Sequence, residues 1–144
     1  MLGEVDDFLG QTMPRLKEAE TALHNGDVEP RLAMWSRNDP VTLFGAWLSD
    51  AGWEDVSRTF HVLASKFSDC TAYDMDIVAA GASGDLAYTV AYEHTTTSIE
   101  GVPRTYTLRV TQIYRREDGE WKLVHRHGDE LAADQQQVRT SPAT

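Results

Sequence analysis

The chain has 144 residues, 41% of them hydrophobic, which is enough for one core but too few for two ordinary domains. Its formal net charge of −10 would repel phosphate backbones and anionic lipid headgroups, so nucleic acid and membrane surfaces are not expected partners. No apolar run reaches the ~20 residues of a membrane-spanning helix, and the single cysteine, Cys70, has no internal disulfide partner. We therefore expect a soluble, cytoplasmic protein.

The first third of the chain is predicted to form helices. Apolar residues recur at three- and four-residue steps from Val5 to Leu23, which predicts an amphipathic helix that Pro14 either kinks or begins. A helix stop follows at residues 24–26, and Asp27 is a plausible N-cap for a second short helix through Trp35. The two helices are expected to pack as a hairpin.

A short strand and a third helix are predicted next. Residues 41–44 have the composition of a strand, and residues 45–47 are predicted to leave it as a loop. Asp50 or Gly52 opens a helix that ends before Asp69, with apolar positions again at helical spacing.

The remainder of the chain predicts an antiparallel meander. Alternation with a period of two begins at Thr71, and turns then separate further long strands over residues 86–97, 104–116 and 120–130. Along the last strand, strict alternation would place Trp121, Leu123, His125 and His127 on one face and Lys122, Val124 and Arg126 on the other. Two imidazoles therefore continue an apolar stripe, where buried polar rings need partners.

This order of elements, helices first and sheet last, indicates an α+β domain. Together with Gly26-Asp27, the segments 39–43 and 84–88, and LRVTQIYRREDGEWKLVHRHGD at residues 108–129, it resembles the SnoaL-like branch of the nuclear transport factor 2-like superfamily. The resemblance covers residues 5–131. It implies a cone-shaped fold in which three N-terminal helices pack on a strongly bent antiparallel sheet that encloses one pocket, usually in a homodimer. Residues 1–131 are then one domain, and residues 132–144 are predicted to be a flexible tail.

Two residues are predicted to carry the pocket's charge. The face of the second long strand that holds Glu93 is otherwise made of small residues, which would leave room for a ligand and make Glu93 a candidate general base. Arg109 lies in the middle of the next strand. It either faces inward towards Glu93 and anchors a substrate carboxylate or an enolate, or faces solvent and bridges a surface carboxylate.

The segment from His125 to Asp129 leaves three interpretations open. His125, His127 and a carboxylate such as Glu93 or Asp129 have a spacing that one metal ion could use. Alternatively, a carboxylate orients His127 for acid–base catalysis. In the third interpretation the histidines are hydrogen-bonded wall residues of a pocket. We assign no metal or cofactor, and take His127 and Asp129 as catalytic candidates and His125 as a substrate contact.

Aromatic residues complete the predicted substrate-binding set. Phe44 and Phe60 are expected to be core residues beside the pocket, since burial alone accounts for their large rings. Trp35 and Trp47 lie where predicted elements end, and their indoles are expected to rim the pocket mouth.

The function predicted is that of a small-molecule-binding protein of unassigned substrate, with a small, carboxylate-bearing organic molecule as one candidate ligand. In the enzyme interpretation, the resemblance implies a metal-free acid–base isomerase, cyclase, dehydratase or hydrolase. The alternative is a non-catalytic ligand-binding or dimeric assembly module. No Tyr-Asp-Asp set of the steroid isomerase type and no Asp-Arg-Asp set of the epoxide hydrolase type is found, which argues against those two activities.

Overall fold

The computed structural model describes residues 3–131, so the predicted tail, residues 132–144, lies outside the described residues. In chain order the elements are α1 (Glu4–Leu23), α2 (Glu29–Met34), β1 (Thr42–Phe44), β2 (Ser49–Ala51), α3 (Trp53–Lys66), β3 (Phe67–Ser83), β4 (Leu86–Ile99), β5 (Val102–Glu117) and β6 (Glu120–Glu130). None of the helices in this part of the chain is both long and apolar enough to cross a membrane.

The helices form where the apolar spacing predicts them. Helix α1 continues through Pro14 and buries Phe8, Leu16 and Leu23 along one face. Helix α2 has Pro30 in its first turn, where proline is tolerated because the first backbone N–H groups of a helix have no intrahelical partner. Helix α3 buries Val56, Phe60 and Ala64 along one face. These helices pack against one face of the sheet, which we call the inner face; the opposite face is the outer face.

The sheet has six strands in the order β2-β1-β6-β5-β4-β3. Strands β3 to β6 form the predicted antiparallel meander, and β1 adds to it parallel to β6. The α+β prediction is confirmed, with a mixed rather than purely antiparallel sheet. Strand β2, where a loop and the start of a helix were expected, was missed because its three residues carry no strand signal; a turn closed by Gly45 N–H donating to the Leu48 carbonyl brings them back alongside β1.

One β-bulge decides which residues of β6 face inward. Ile113 pairs with His125 but the next residue, Tyr114, pairs with Leu123, so Val124 is an extra residue without a partner. Trp121 and Leu123 face inward as predicted, but beyond the bulge the alternation is reversed. The prediction that His125 and His127 share the face of Trp121 and Leu123 is therefore wrong: Arg126 and Gly128 are buried instead.

Candidate functional site

A pocket lies at one end of the inner face. Its cavity volume is about 70 Å³, and it opens to solvent. Helix α1 contributes Leu23 and His24 at its C-terminus, and the three central strands contribute the floor. The remaining walls are apolar: Leu43, Leu63, Phe67 and Leu108. Such a concave site, apolar with a few converging polar groups, is typical of small-molecule binding.

Two ion pairs lie in and beneath the floor of the pocket, which Arg31, Glu93 and Arg126 line. Arg126 on β6 reaches across β5 to Glu93 on β4 with two hydrogen bonds, of 2.8 and 2.9 Å, and Arg126 also donates to the Gln112 side-chain oxygen. Arg31 on α2 forms the second pair, with Glu20 on α1. An oxygen of Glu20 lies 3.3 Å from Arg126, so the four residues form one network, which we call the charged floor.

The charged floor is held in its ionised form by mutual pairing. Burial opposes ionisation of Glu20, but the guanidinium groups of Arg31 and Arg126 outweigh it and lower the pKa of Glu20 from 4.5 to about 2. Burial likewise opposes the charge on Arg126, and Glu93 and Glu20 raise its pKa above the usual value. The floor therefore brings two guanidinium groups into contact with two carboxyl groups, and their formal charges cancel.

A tyrosine–histidine pair forms part of the wall. The Nδ1 atom of His24 lies 2.6 Å from the Glu20 backbone carbonyl, which can only accept, so Nδ1 carries the proton and Nε2 is an acceptor. Tyr106 lies 3.1 Å from Nε2 and donates its hydroxyl proton to it. Burial lowers the pKa of His24 despite the nearby Glu20 charge, and burial raises that of Tyr106. Both groups are therefore neutral near pH 7.

Two of the predicted site residues are brought together in this pocket. Glu93 faces inward, as its small-residue face predicts, and is 1% exposed. Its partner is Arg126 rather than the predicted Arg109. Trp47 lines the mouth in the turn between β1 and β2 and is 60% exposed.

Two other predicted contacts are core residues. Trp35 and Phe60 are fully buried and pack edge to face, with ring centroids 5.1 Å apart. Trp35 therefore does not rim the mouth. Phe60 supports the pocket indirectly, because the Arg31 guanidinium lies 4.9 Å from the centre of its ring.

The remaining predicted residues lie on the outer face, because β5 presents its even-numbered residues inward and the bulge reverses β6. Arg109 pairs with Asp129 through two hydrogen bonds of 2.9 Å. His127 lies in the same shallow depression as that pair. The geometry therefore does not bring Arg109, His127 or Asp129 to Glu93.

Phe44 and His125 also face outward. The Phe44 ring packs edge to face between the rings of His125 and His127, at 5.5 and 5.6 Å, and Thr42 shares a 2.7 Å hydrogen bond with His125. Burial and the neighbouring His127 lower the pKa of His125. Between residues 3 and 131, no group of three or more His, Cys, Asp or Glu side chains is arranged to hold a metal ion.

Sequence reasoning missed most of the charged floor and the tyrosine–histidine pair. Glu20 carries a readable signal, since it follows Thr12 and Leu16 at four-residue steps on the buried stripe of α1. His24 falls within the predicted helix stop at residues 24–26, and that stop gives no signal for the burial of its ring. Tyr106 follows from the inward parity of β5 once that parity is known. Arg126 had no local signal, because nothing in the composition around Val124 marks a bulge.

The amino-acid sequence identifies the family to which the chain belongs. The SnoaL-like domain family model matches residues 15–131, and the chain belongs to this family. A search of curated proteins finds no match.

Solved structures share the fold. A putative dehydratase of the NTF2-like family from Streptomyces avermitilis superposes with a TM-score of 0.76 at 19% identity, covering 89% of this chain and 99% of that one. A ketosteroid isomerase-like protein from Erwinia carotovora gives 0.70 at 16% identity, covering 88% and 98%. A putative calcium/calmodulin-dependent protein kinase type II association domain from Thiobacillus denitrificans gives 0.69 at 19%, covering 85% and 96%. At these identities the likeness concerns the fold alone.

Proposed function

We propose that the pocket binds a small organic molecule and that the Tyr106–His24 pair moves a proton to or from it, in an isomerisation, cyclisation, dehydration or hydrolysis. The observation that carries this proposal is the hydrogen bond from the neutral Tyr106 hydroxyl to the unprotonated Nε2 of His24 in the pocket wall. A catalytic acid–base pair needs a donor and an acceptor within hydrogen-bond reach, and these two provide both.

The proton path has two steps. Tyr106 accepts a proton from the substrate on its oxygen while its own proton passes to Nε2 of His24; the reverse transfer returns a proton to the substrate. The Glu20 carbonyl accepts from Nδ1 and fixes the ring, so Nε2 points at Tyr106 in the acceptor form. Delivery of the Tyr106 proton to a different substrate atom, with return of the Nε2 proton to the Tyr106 oxygen, completes an isomerisation and regenerates both side chains. Exchange of the Tyr106 hydroxyl proton with solvent before this delivery labels the substrate.

Glu93, predicted as the general base, has a different part in this proposal. Both of its oxygens already accept hydrogen bonds from Arg126. We assign the proton-accepting role to His24 and a positioning role to Glu93, which fixes Arg126 at the floor of the pocket.

The experiment begins with a thermal-shift screen against polyketide-like aromatics, steroids and unsaturated ketones, since a ligand that binds only the folded chain raises its melting temperature. Each hit is then incubated in D₂O, and exchange of its acidic C–H positions is followed by NMR. Wild type is expected to catalyse exchange, and Tyr106→Phe to lose about 10²–10⁴-fold in rate while still binding. Tyr88→Phe, on the outer face, is the matched control and should leave the rate unchanged. Hits that bind without exchange or turnover would favour a non-catalytic binding module.

We also propose that the chain is a cytoplasmic homodimer joined through the outer face. Four exposed apolar side chains support this proposal: Phe44, Val78, Tyr88 and Ile113. Exposed apolar side chains on one face of a sheet are typical of protein interfaces. Light scattering coupled to gel filtration should give twice the mass of one chain, and Ile113→Glu should give one chain. Val102→Glu, at an apolar and more exposed position at the far end of β5, should remain dimeric; a monomeric wild type would contradict the proposal.

A further inference from the structure

The charges in and beneath the pocket already satisfy one another. Both terminal nitrogens of Arg126 donate hydrogen bonds to Glu93, and Arg31 pairs with Glu20. All four side chains are buried, with exposures between 1% and 8%. Two cations and two anions lie in contact, so the charged floor is neutral as a unit.

Among the residues between 3 and 131 that line this pocket, a charged ligand would find no free counterion. An anion would have to share Arg126 or Arg31 with a carboxylate that holds it through more than one hydrogen bond, and a cation would meet the same difficulty at Glu93. Moving an ion out of water into a buried site is costly unless the site supplies a partner of opposite charge. Arg109, the arginine predicted to anchor a carboxylate, lies on the outer face and is paired with Asp129.

The other polar side chains of the pocket are uncharged. They are His24, Thr95 and Tyr106. Hydroxyl and imidazole groups suit a neutral hydrogen-bonding function such as a ketone, an amide or an alcohol. The apolar walls then cover the hydrocarbon part of the ligand.

We infer that the pocket selects electrically neutral ligands that carry a carbonyl or hydroxyl group and rejects carboxylates and ammonium ions of the same size. The inference rests on the proposed function, since it names the class of molecule that the same pocket takes. It requires the paired state of Glu93 with Arg126 and of Glu20 with Arg31, and it predicts that breaking one pair changes the charge preference.

The test compares three ligands of one shape: benzamide, benzoate and benzamidinium. Binding to the wild-type chain is measured near pH 7 by ¹⁵N chemical-shift titration, in which the Gly128 amide reports on the pocket and the Thr111 amide on the outer face. Benzamide is expected to shift Gly128 and to bind at least about tenfold more tightly than either ion. Tighter binding of benzoate or benzamidinium at Gly128 would overturn the inference while leaving the proposed pocket intact. If none of the three shifts Gly128 at its highest soluble concentration, the small-molecule pocket itself is contradicted, and the inference falls with it.

A variant reverses the preference. Glu93→Gln removes one negative charge, leaves Arg126 with an uncompensated charge, and should increase benzoate affinity at Gly128 by at least about tenfold. Asp129→Asn is the matched control, because it frees Arg109 on the outer face by the same change and should leave benzoate binding at Gly128 as in wild type. An unchanged benzoate affinity in a folded Glu93→Gln chain would count against the inference. Should that variant not fold, the wild-type comparison still decides, because it needs no substitution.

Discussion

The inner and outer faces of the sheet each carry an arginine–carboxylate pair of nearly the same geometry. On the inner face Arg126 binds Glu93 with hydrogen bonds of 2.8 and 2.9 Å, and on the outer face Arg109 binds Asp129 with two of 2.9 Å. The exposed fractions differ: the inner side chains are 8% and 2% exposed and the outer ones 44% and 46%. The two pairs therefore have nearly the same hydrogen-bond geometry but very different exposure to water.

The comparison shows that burial, and not hydrogen-bond length, determines how much an ion pair matters for stability. Water can replace either partner of the outer pair, so that pair contributes little to stability. The inner side chains are only 8% and 2% exposed, so loss of one inner partner leaves the other as a buried, unpaired charge. The inner pair also reaches across β5, which ties three strands together and sets the charge that a ligand meets.

The largest expected effect comes from breaking the inner pair. Arg126→Met keeps the length and apolar stem of the side chain but leaves Glu93 and Glu20 with a lost partner. It should lower the free energy of unfolding by about 3–5 kcal/mol. Urea denaturation followed by tryptophan fluorescence measures this. Arg109→Met is the matched control and should stay close to wild type; equal losses for the two variants would show that burial does not distinguish the pairs.

The second largest effect is expected from acid, which should weaken the charged floor. The pKa of Glu20 is about 2 in the folded chain and near 4.5 when exposed, so between these values the unfolded state binds more protons. The stability that Glu20 contributes is thus complete above pH 4.5 and is lost as the pH falls towards 2. Denaturation at a series of pH values should show this loss in wild type and a flatter profile in Glu20→Gln. Glu54→Gln, at an exposed position on α3, should retain the wild-type slope; a wild-type slope in Glu20→Gln would contradict the assignment.

The fold was predictable to a greater extent than the pocket, and the reason lies in particular residues. The stripe of α1 and the two-residue period of β4 are repeated over many positions, so Glu93 could be placed inward from sequence alone. The direction of Arg126 depends on one inserted residue, Val124, and a single bulge reverses every side chain beyond it. The pairing of Arg126 with Glu93 further depends on two strands that are neighbours of β5 but not of each other. Local patterns do not carry information of that kind.

Histidine protonation gives a smaller effect within the same pocket. Burial lowers the pKa of His24 below 6.5, so the folded chain resists protonation that the unfolded chain accepts. Its contribution to stability is complete above pH 6.5 and is lost as the pH falls through the lower folded pKa. Denaturation between neutral and mildly acidic pH should therefore show a decline that His24→Gln lacks. His61→Gln, at an exposed position on α3, should keep the decline, and a decline that persists in His24→Gln would assign it to another group.

The smallest expected effect, at low protein concentration, comes from the outer pair. Asp129→Asn should leave the unfolding midpoint of the dilute chain within error of wild type, because water replaces the lost partner of Arg109. If a second copy covers the outer face, as proposed, the freed arginine is buried in the dimer, and the loss should grow with protein concentration. Denaturation of both proteins over a dilution series measures the two cases at once. A loss of stability as large as that of Arg126→Met at every concentration would remove the distinction between the faces. A loss that appears only when two copies associate would show that burial by a second copy makes the outer pair as important for stability as the inner pair.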